Sequence, residues 1–150
     1  ITNEIALSKI AKLEADAMLD EIQTFKAFHA RVNEVGKKLL KVLKNVKASG
    51  KTVHIYGAST KGNVLLQLFG IDRKLIDAAS ERNEWKFGHR TPGTNIPIIS
   101  EENSRAQKPD YYLVLPWHFR NEFVEREQAF INNGGKLIFP LPDVEVYPTD

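Results

Sequence analysis

The chain has 150 residues, 42% of them hydrophobic, and its 21 Lys and Arg against 19 Asp and Glu leave a net charge of +2. That length supports one cooperative core rather than two, and the near balance of charge argues against the one-sided basic surface of a nucleic-acid binder. The absence of cysteine excludes disulfides, thiolate metal sites and cysteine nucleophiles within these residues, and no apolar run approaches the roughly 20 residues that span a bilayer. With no signal-peptide pattern at its start, the chain is expected to be soluble and cytoplasmic, engaging neither nucleic acid nor membrane. A beginning at Ile1, inside what already reads as helix, points to a segment of a longer protein.

From Asn3 to Ala48 there is no proline, and Ile10, Leu13, Ala17, Phe25, Phe28, Val32, Val35, Leu39, Val42 and Val46 fall three or four apart. This spacing predicts a helical stripe, as one long helix or two with a break near Leu19 to Thr24. Residues 1–48 therefore read as an N-terminal helical segment that packs on the core and, in its first half, on a missing upstream domain. Lys37, Lys38, Lys41, Lys44 and Lys47 fall on the other positions. They read as a solvated face, with a surface for an acidic partner as the alternative. Ser49-Gly50 supplies the stop.

Residues 49–150 change character, to short β-rich runs separated by turns and helical stretches. Five strands are expected: Thr52 to Tyr56, Leu75 to Ala79, Ile96 to Ile98, Tyr111 to Leu115, and Lys136 to Pro140. Helices fit between them at Lys61 to Phe69, Glu101 to Gln107 and Arg120 to Asn133. The alternation predicts an α/β, Rossmann-like three-layer sandwich with a mostly parallel five-stranded sheet. In the order 3-2-1-4-5, ligands would bind outside the carboxyl ends of the first and fourth strands, where the winding reverses. The two prolines in Phe139-Pro140-Leu141-Pro142 should end pairing and send the tail across the surface.

Three strand ends carry the candidate site residues. After the first, Gly57, Ala58, Ser59, Thr60, Lys61, Gly62 and Asn63 open a helix. Small residues let backbone approach a ligand, while free N–H groups and the helix dipole favour an anion. A P-loop would need lysine where Asn63 stands, which argues against ATP hydrolysis. The middle glycine of a dinucleotide motif is also missing, which weakens a nicotinamide cofactor. A tight turn without ligand is the plain alternative. After the second strand, Glu81 could accept sugar hydroxyls and Arg82 and Lys86 could bond phosphate, with Asn83 beside them. A polar surface loop is the competing reading. After the fourth, Trp117 could stack on a base or be buried. His118 could contact ligand, move a proton or serve structure alone, and Arg120 could meet phosphate. No residue is assigned as catalytic or as a metal ligand.

Taken together, Tyr56-Gly57-Ala58-Ser59-Thr60-Lys61-Gly62-Asn63, Arg82-Asn83 with Lys86 and Gly88, Thr91-Pro92-Gly93-Thr94 with Ile96-Pro97-Ile98, Leu115-Pro116-Trp117-His118-Phe119 with Glu122, and Gly134-Gly135-Lys136 through Pro140-Leu141-Pro142 resemble the C-terminal domain of sugar-nucleotide C-methyltransferases over about Phe25 to Val146. The resemblance implies a parent enzyme with an upstream cysteine-bound zinc domain and a middle S-adenosylmethionine-binding domain. The nucleotide-sugar substrate would lie between the middle and last domains, with the methyl donor bound outside this chain. The family usually has proline where Glu84 follows Asn83 here. On this reading the chain is the substrate-side domain for C-methylation of a keto-deoxysugar, and it should not methylate anything by itself. The alternatives are a stand-alone nucleotide-binding or regulatory module without catalysis, and a small NAD-dependent oxidoreductase.

Overall fold

A computed structural model describes residues 3–149, which divide into two compact units, 3–34 and 35–149. In the first unit, α1 (Glu4–Asp16) starts where Asn3 Oδ1 accepts the Ala6 N–H. Helix α2 (Ile22–Ala48) follows a turn and continues into the second unit. The break thus falls at Ala17 to Glu21, beside the place the pattern suggested, with Met18 at φ 51. No described side chain of residues 3–34 is buried.

The second unit is a six-stranded sheet in the order β3-β2-β1-β4-β5-β6. Strands β1 (Val53–Tyr56), β2 (Ala78–Glu81), β3 (Ile98–Ser100), β4 (Tyr111–Val114) and β5 (Lys136–Phe139) run parallel, and β6 (Glu145–Tyr147) joins β5 antiparallel. Side chains alternate across the sheet as the strand period requires. Val53, Ile55, Leu113 and Ile138 pack with Leu39, Leu43 and Val46 of α2 and Leu65 and Leu66 of α3 (Thr60–Phe69). On the other face Tyr56, Tyr112, Val114, Leu137 and Phe139 pack with Phe123, Val124, Phe130 and Ile131. These last four belong to α5 (Arg120–Arg126) and α6 (Gln128–Asn132), and α4 (Glu101–Ala106) lies against β2 and β3. Helices on both faces give the expected three layers.

Four local expectations are corrected. The second strand begins at Ala78, not Leu75, because Asp72 holds residues 74–76 in a turn: its carboxylate takes Lys74 N–H and its carbonyl takes Leu75 N–H and Ile76 N–H. The third begins at Ile98 because Thr91 Oγ1 captures Ile96 N–H at 2.9 Å and Arg90 bridges Pro97. The helix expected over Arg120 to Asn133 divides at Glu127, whose backbone leaves the helical region at φ -95, ψ 18. The tail turns after Phe139 and returns as β6, with Phe139 opposite Glu145 and Leu137 opposite Tyr147. The prolines stop β5, but an antiparallel edge strand needs only a short turn.

Candidate functional site at the carboxyl ends of the strands

The turn after β1 is built for close approach between two strand ends. Gly57 adopts φ +83, and a Cβ on it would lie 3.2 Å from Pro116 Cγ; one on Gly62 would lie 2.3 Å from Leu115 Cδ1. Both glycines therefore let the β1–α3 turn pack on the end of β4. Gly57 N–H donates to Ser80 O at 2.9 Å, which ties the same turn to β2. Ser59 Oγ caps α3 by accepting Gly62 N–H at 3.1 Å. The N–H groups of Thr60 and Lys61, first in the helix, have no intrahelical partner, and both residues are exposed. Asn63 Oδ1 is buried without a hydrogen-bond partner, and Ala58 is buried.

The loop after β2 is fixed from within. Glu81 accepts Arg82 N–H at 2.9 Å and Asn83 N–H at 3.2 Å through Oε1, and Lys86 Nζ at 2.9 Å through Oε2. Burial raises the Glu81 carboxyl, but these bonds outweigh it and hold it below the usual range. Lys86 Nζ also donates to Ala58 O at 3.0 Å, so Lys86 links this loop to the first turn. Asn83 caps the 3₁₀ turn that follows, and Trp85 is 90% exposed. Gly57, Ala58, Glu81 and Lys86 are thus brought together.

The segment after β4 is divided. Trp117 is half-buried and touches both core clusters, while His118 is exposed, its ring 4.3 Å from that of Phe119. Arg120 turns to the sheet edge. Its Nε donates to Glu145 Oε2 at 2.8 Å, and its guanidinium lies 5.3 Å from the ring centroids of Phe139 and Tyr147. The bond to Glu145 raises its pKa further. This clasp holds β6, and Arg120 has no contact with the Gly57 turn among the described bonds.

Beside Gly57 lies an ionic cluster that the sequence does not reveal. Arg105 clamps Glu127 with two bonds of 2.9 and 2.8 Å and reaches Glu101 at 2.9 Å. Tyr56 OH donates between Glu101 at 2.8 Å and Glu127 at 3.0 Å. Arg82 Nε meets Glu101 Oε2 at 3.0 Å, and Arg126 also donates to Glu101. Glu127 is 1% exposed. Burial raises the Glu101 carboxyl, yet the hydrogen bonds of Arg105, Tyr56, Arg82 and Arg126 hold it far below the ordinary range. Burial, the bond to Glu101 and the charge of Glu127 push the Tyr56 hydroxyl well up, so it stays a donor. Glu101 and Arg105 are visible in sequence as an i, i+4 pair. Nothing local signals Arg126, the last residue of α5, or Glu127, which caps it. A larger cavity, about 620 Å³, opens at the other end of the sheet between Lys108 to Asp110 and Asn133 to Gly135, and none of the predicted site residues lines it.

Comparison with known proteins adds the chemistry. The C-methyltransferase C-terminal domain model matches residues 2–142. The chain is 37% identical over 122 residues to C-methyltransferase NovU of Streptomyces niveus, a match covering 81% of this chain and 29% of that protein. The chain therefore spans under a third of the relative it matches. Among the described residues no helix is long and apolar enough to cross a membrane.

Proposed function

This chain belongs to the C-methyltransferase C-terminal domain family, and we propose that it is the substrate-side domain of an S-adenosylmethionine-dependent enzyme that methylates a carbon of a nucleotide-linked keto-deoxysugar. The observation that carries this is that the carboxyl ends of β1, β2 and β4 meet where the strand order reverses, in a chain matched to that family along nearly its whole length. In an open α/β sheet this is where ligands bind. The Thr60 and Lys61 N–H groups at the start of α3, the Lys61 ammonium and Asn63 would be the polar partners of the substrate's polar part. Asn83, Trp117 and His118 stand on the flanking loops.

The methyl donor binds elsewhere on this reading, because the residues present here do not fit it. A nucleoside cofactor in a Rossmann-like site needs a free carboxylate after β2 for its ribose, and Glu81 is committed to Arg82, Asn83 and Lys86. A nicotinamide cofactor meets the same obstacle. The upstream zinc and S-adenosylmethionine domains of a longer chain are the natural cover for Ile22, Phe25 and Phe28, which are 62%, 51% and 57% exposed. On this reading the enzyme works in the cytoplasm.

Calorimetric titration with a thymidine-diphosphate sugar, S-adenosylmethionine and NAD tests this. We expect the nucleotide sugar alone to bind, and Lys61→Ala to weaken it by about 10-fold, the value of one charge-assisted bond. Binding of NAD or S-adenosylmethionine in its place sinks the assignment.

A further inference from the structure

The carboxyl ends of β1 and β2 enclose a second, smaller space behind Gly57, about 150 Å³, whose polar lining is Ser80, Glu81, Arg82, Glu101 and Arg126 and whose aromatic wall is Tyr56 and Phe123. Ser80 is 1% exposed and its Oγ has no hydrogen-bond partner. A buried hydroxyl is normally satisfied, so this one is short of a ligand oxygen or donor. The charges around it are uneven. Glu127 is taken by Arg105, and Glu81 by Lys86. Arg126 Nε also lies 3.5 Å from Glu127 Oε1, so three guanidiniums, Arg82, Arg105 and Arg126, share the two carboxylates of Glu101 and Glu127, and Tyr56 OH donates between them. Arg82 and Arg126 keep side-chain exposures of 67% and 35%, so both remain open to an incoming group.

The geometry points to an anion subsite in this cavity: a phosphate group seated between Arg82 and Arg126 and over Ser80 Oγ, with Tyr56 and Phe123 behind it. Guanidinium forks suit phosphate oxygens in pairs, and Glu101 preorganises both forks in the free protein. When phosphate enters, Glu101 keeps Arg105 and the Tyr56 hydroxyl as donors, so no buried carboxylate is stranded. The space is below the size that takes a whole drug-sized ligand. It fits one phosphate while the rest of the molecule stays outside, along the carboxyl ends of the strands. The inference rests on the nucleotide-sugar reading and deepens it, because it seats one phosphate of the diphosphate behind Gly57 rather than at the start of α3.

The test is calorimetric titration of the chain with inorganic pyrophosphate and with a thymidine-diphosphate sugar. The proteins are the parent, Arg82→Gln, Arg126→Gln, Ser80→Ala and the remote Lys74→Gln, each shown folded by its thermal transition. We expect Arg82→Gln and Arg126→Gln each to weaken both ligands by about 10-fold, Ser80→Ala to weaken them less, and Lys74→Gln to match the parent. If the nucleotide sugar binds and keeps its affinity in both arginine variants, the subsite is wrong and the substrate reading stands. If pyrophosphate binds in an arginine-dependent way while the nucleotide sugar does not bind, the subsite stands and the substrate reading falls. Failure of pyrophosphate to bind the parent overturns the subsite.

Discussion

The two halves of α2 carry one apolar stripe and meet different fates. Val35, Leu39, Leu43 and Val46 are 9%, 0%, 0% and 7% exposed, within the unit that holds the sheet. Ile22, Phe25 and Phe28, at the same helical spacing about two to four turns earlier, are all more than half exposed. Each half has the periodicity that predicts burial. Periodicity reports a face that gains by being covered, but it does not say what covers it. A stripe that is satisfied in one half and bare in the other separates what this chain does for its own stability from what it offers to others.

The strongest way to break that comparison is to cut the buried half. Leu43→Ala removes a side chain packed among Val53, Ile55 and Leu113 in the same cluster, and such truncations cost about 2–5 kcal/mol. Chemical denaturation should show a loss in that range. A loss below about 1 kcal/mol would mean that the second half of α2 is as loosely held as the first.

A smaller effect sharpens the contrast through pH. His54 is 2% exposed, its Nδ1 2.8 Å from Ser104 Oγ, which in turn meets Tyr112 OH at 2.9 Å. Burial lowers its pKa, against the raising influence of Asp77 and with that of Lys47. The unfolded chain therefore binds the proton first. Stability should fall as pH drops below about 6.5, the pKa of an unperturbed histidine, and level off below the folded pKa. The depressed carboxyls Glu81, Glu101, Asp110 and Glu145 act in a separate window. Their stabilisation is present above about pH 4.3 and is lost as pH falls through their folded values. His54→Asn should flatten the slope between pH 7 and 5 and leave the acid limb. A slope that persists in His54→Asn would put the titrating group elsewhere.

The strand order 3-2-1-4-5 was legible because five runs of β-branched and aromatic residues alternate with helical ones, and right-handed crossovers leave few arrangements. Boundaries moved where side chains captured backbone: Asp72 and Thr91 each turn an apolar run that would otherwise extend a strand. Strand β6 was hidden because Glu145-Val146-Tyr147 is too short to register as a pattern, and its clasp with Arg120 joins residues 25 apart. The turn at Gly57 to Asn63 could be found from composition. Its two glycines are equally required by Pro116 and Leu115, so their presence alone does not distinguish ligand from packing. The Glu101–Arg105–Glu127–Arg126 cluster could not be read, since only the parallel crossovers bring α4 and α5 to the same end of the sheet.

The smallest expected effect is the most discriminating. Phe28→Ser exchanges a 57% exposed ring for a hydroxyl on a helix, and the two residues have similar helix propensity. The Arg31 guanidinium 5.8 Å from the ring centroid is a weak contact at an exposed site. Denaturation of this chain should therefore change by less than about 0.5 kcal/mol, the usual range for surface substitutions. A loss above about 1 kcal/mol would show that the face is covered in solution, by a second copy or by α1 folding back, and the two halves of α2 would no longer differ. If the effect is small here but the same substitution destabilises a longer protein that carries the upstream domains, the difference between the two measurements is the energy with which that face is covered. Phe28 would then mark the seam between this domain and the rest of the enzyme.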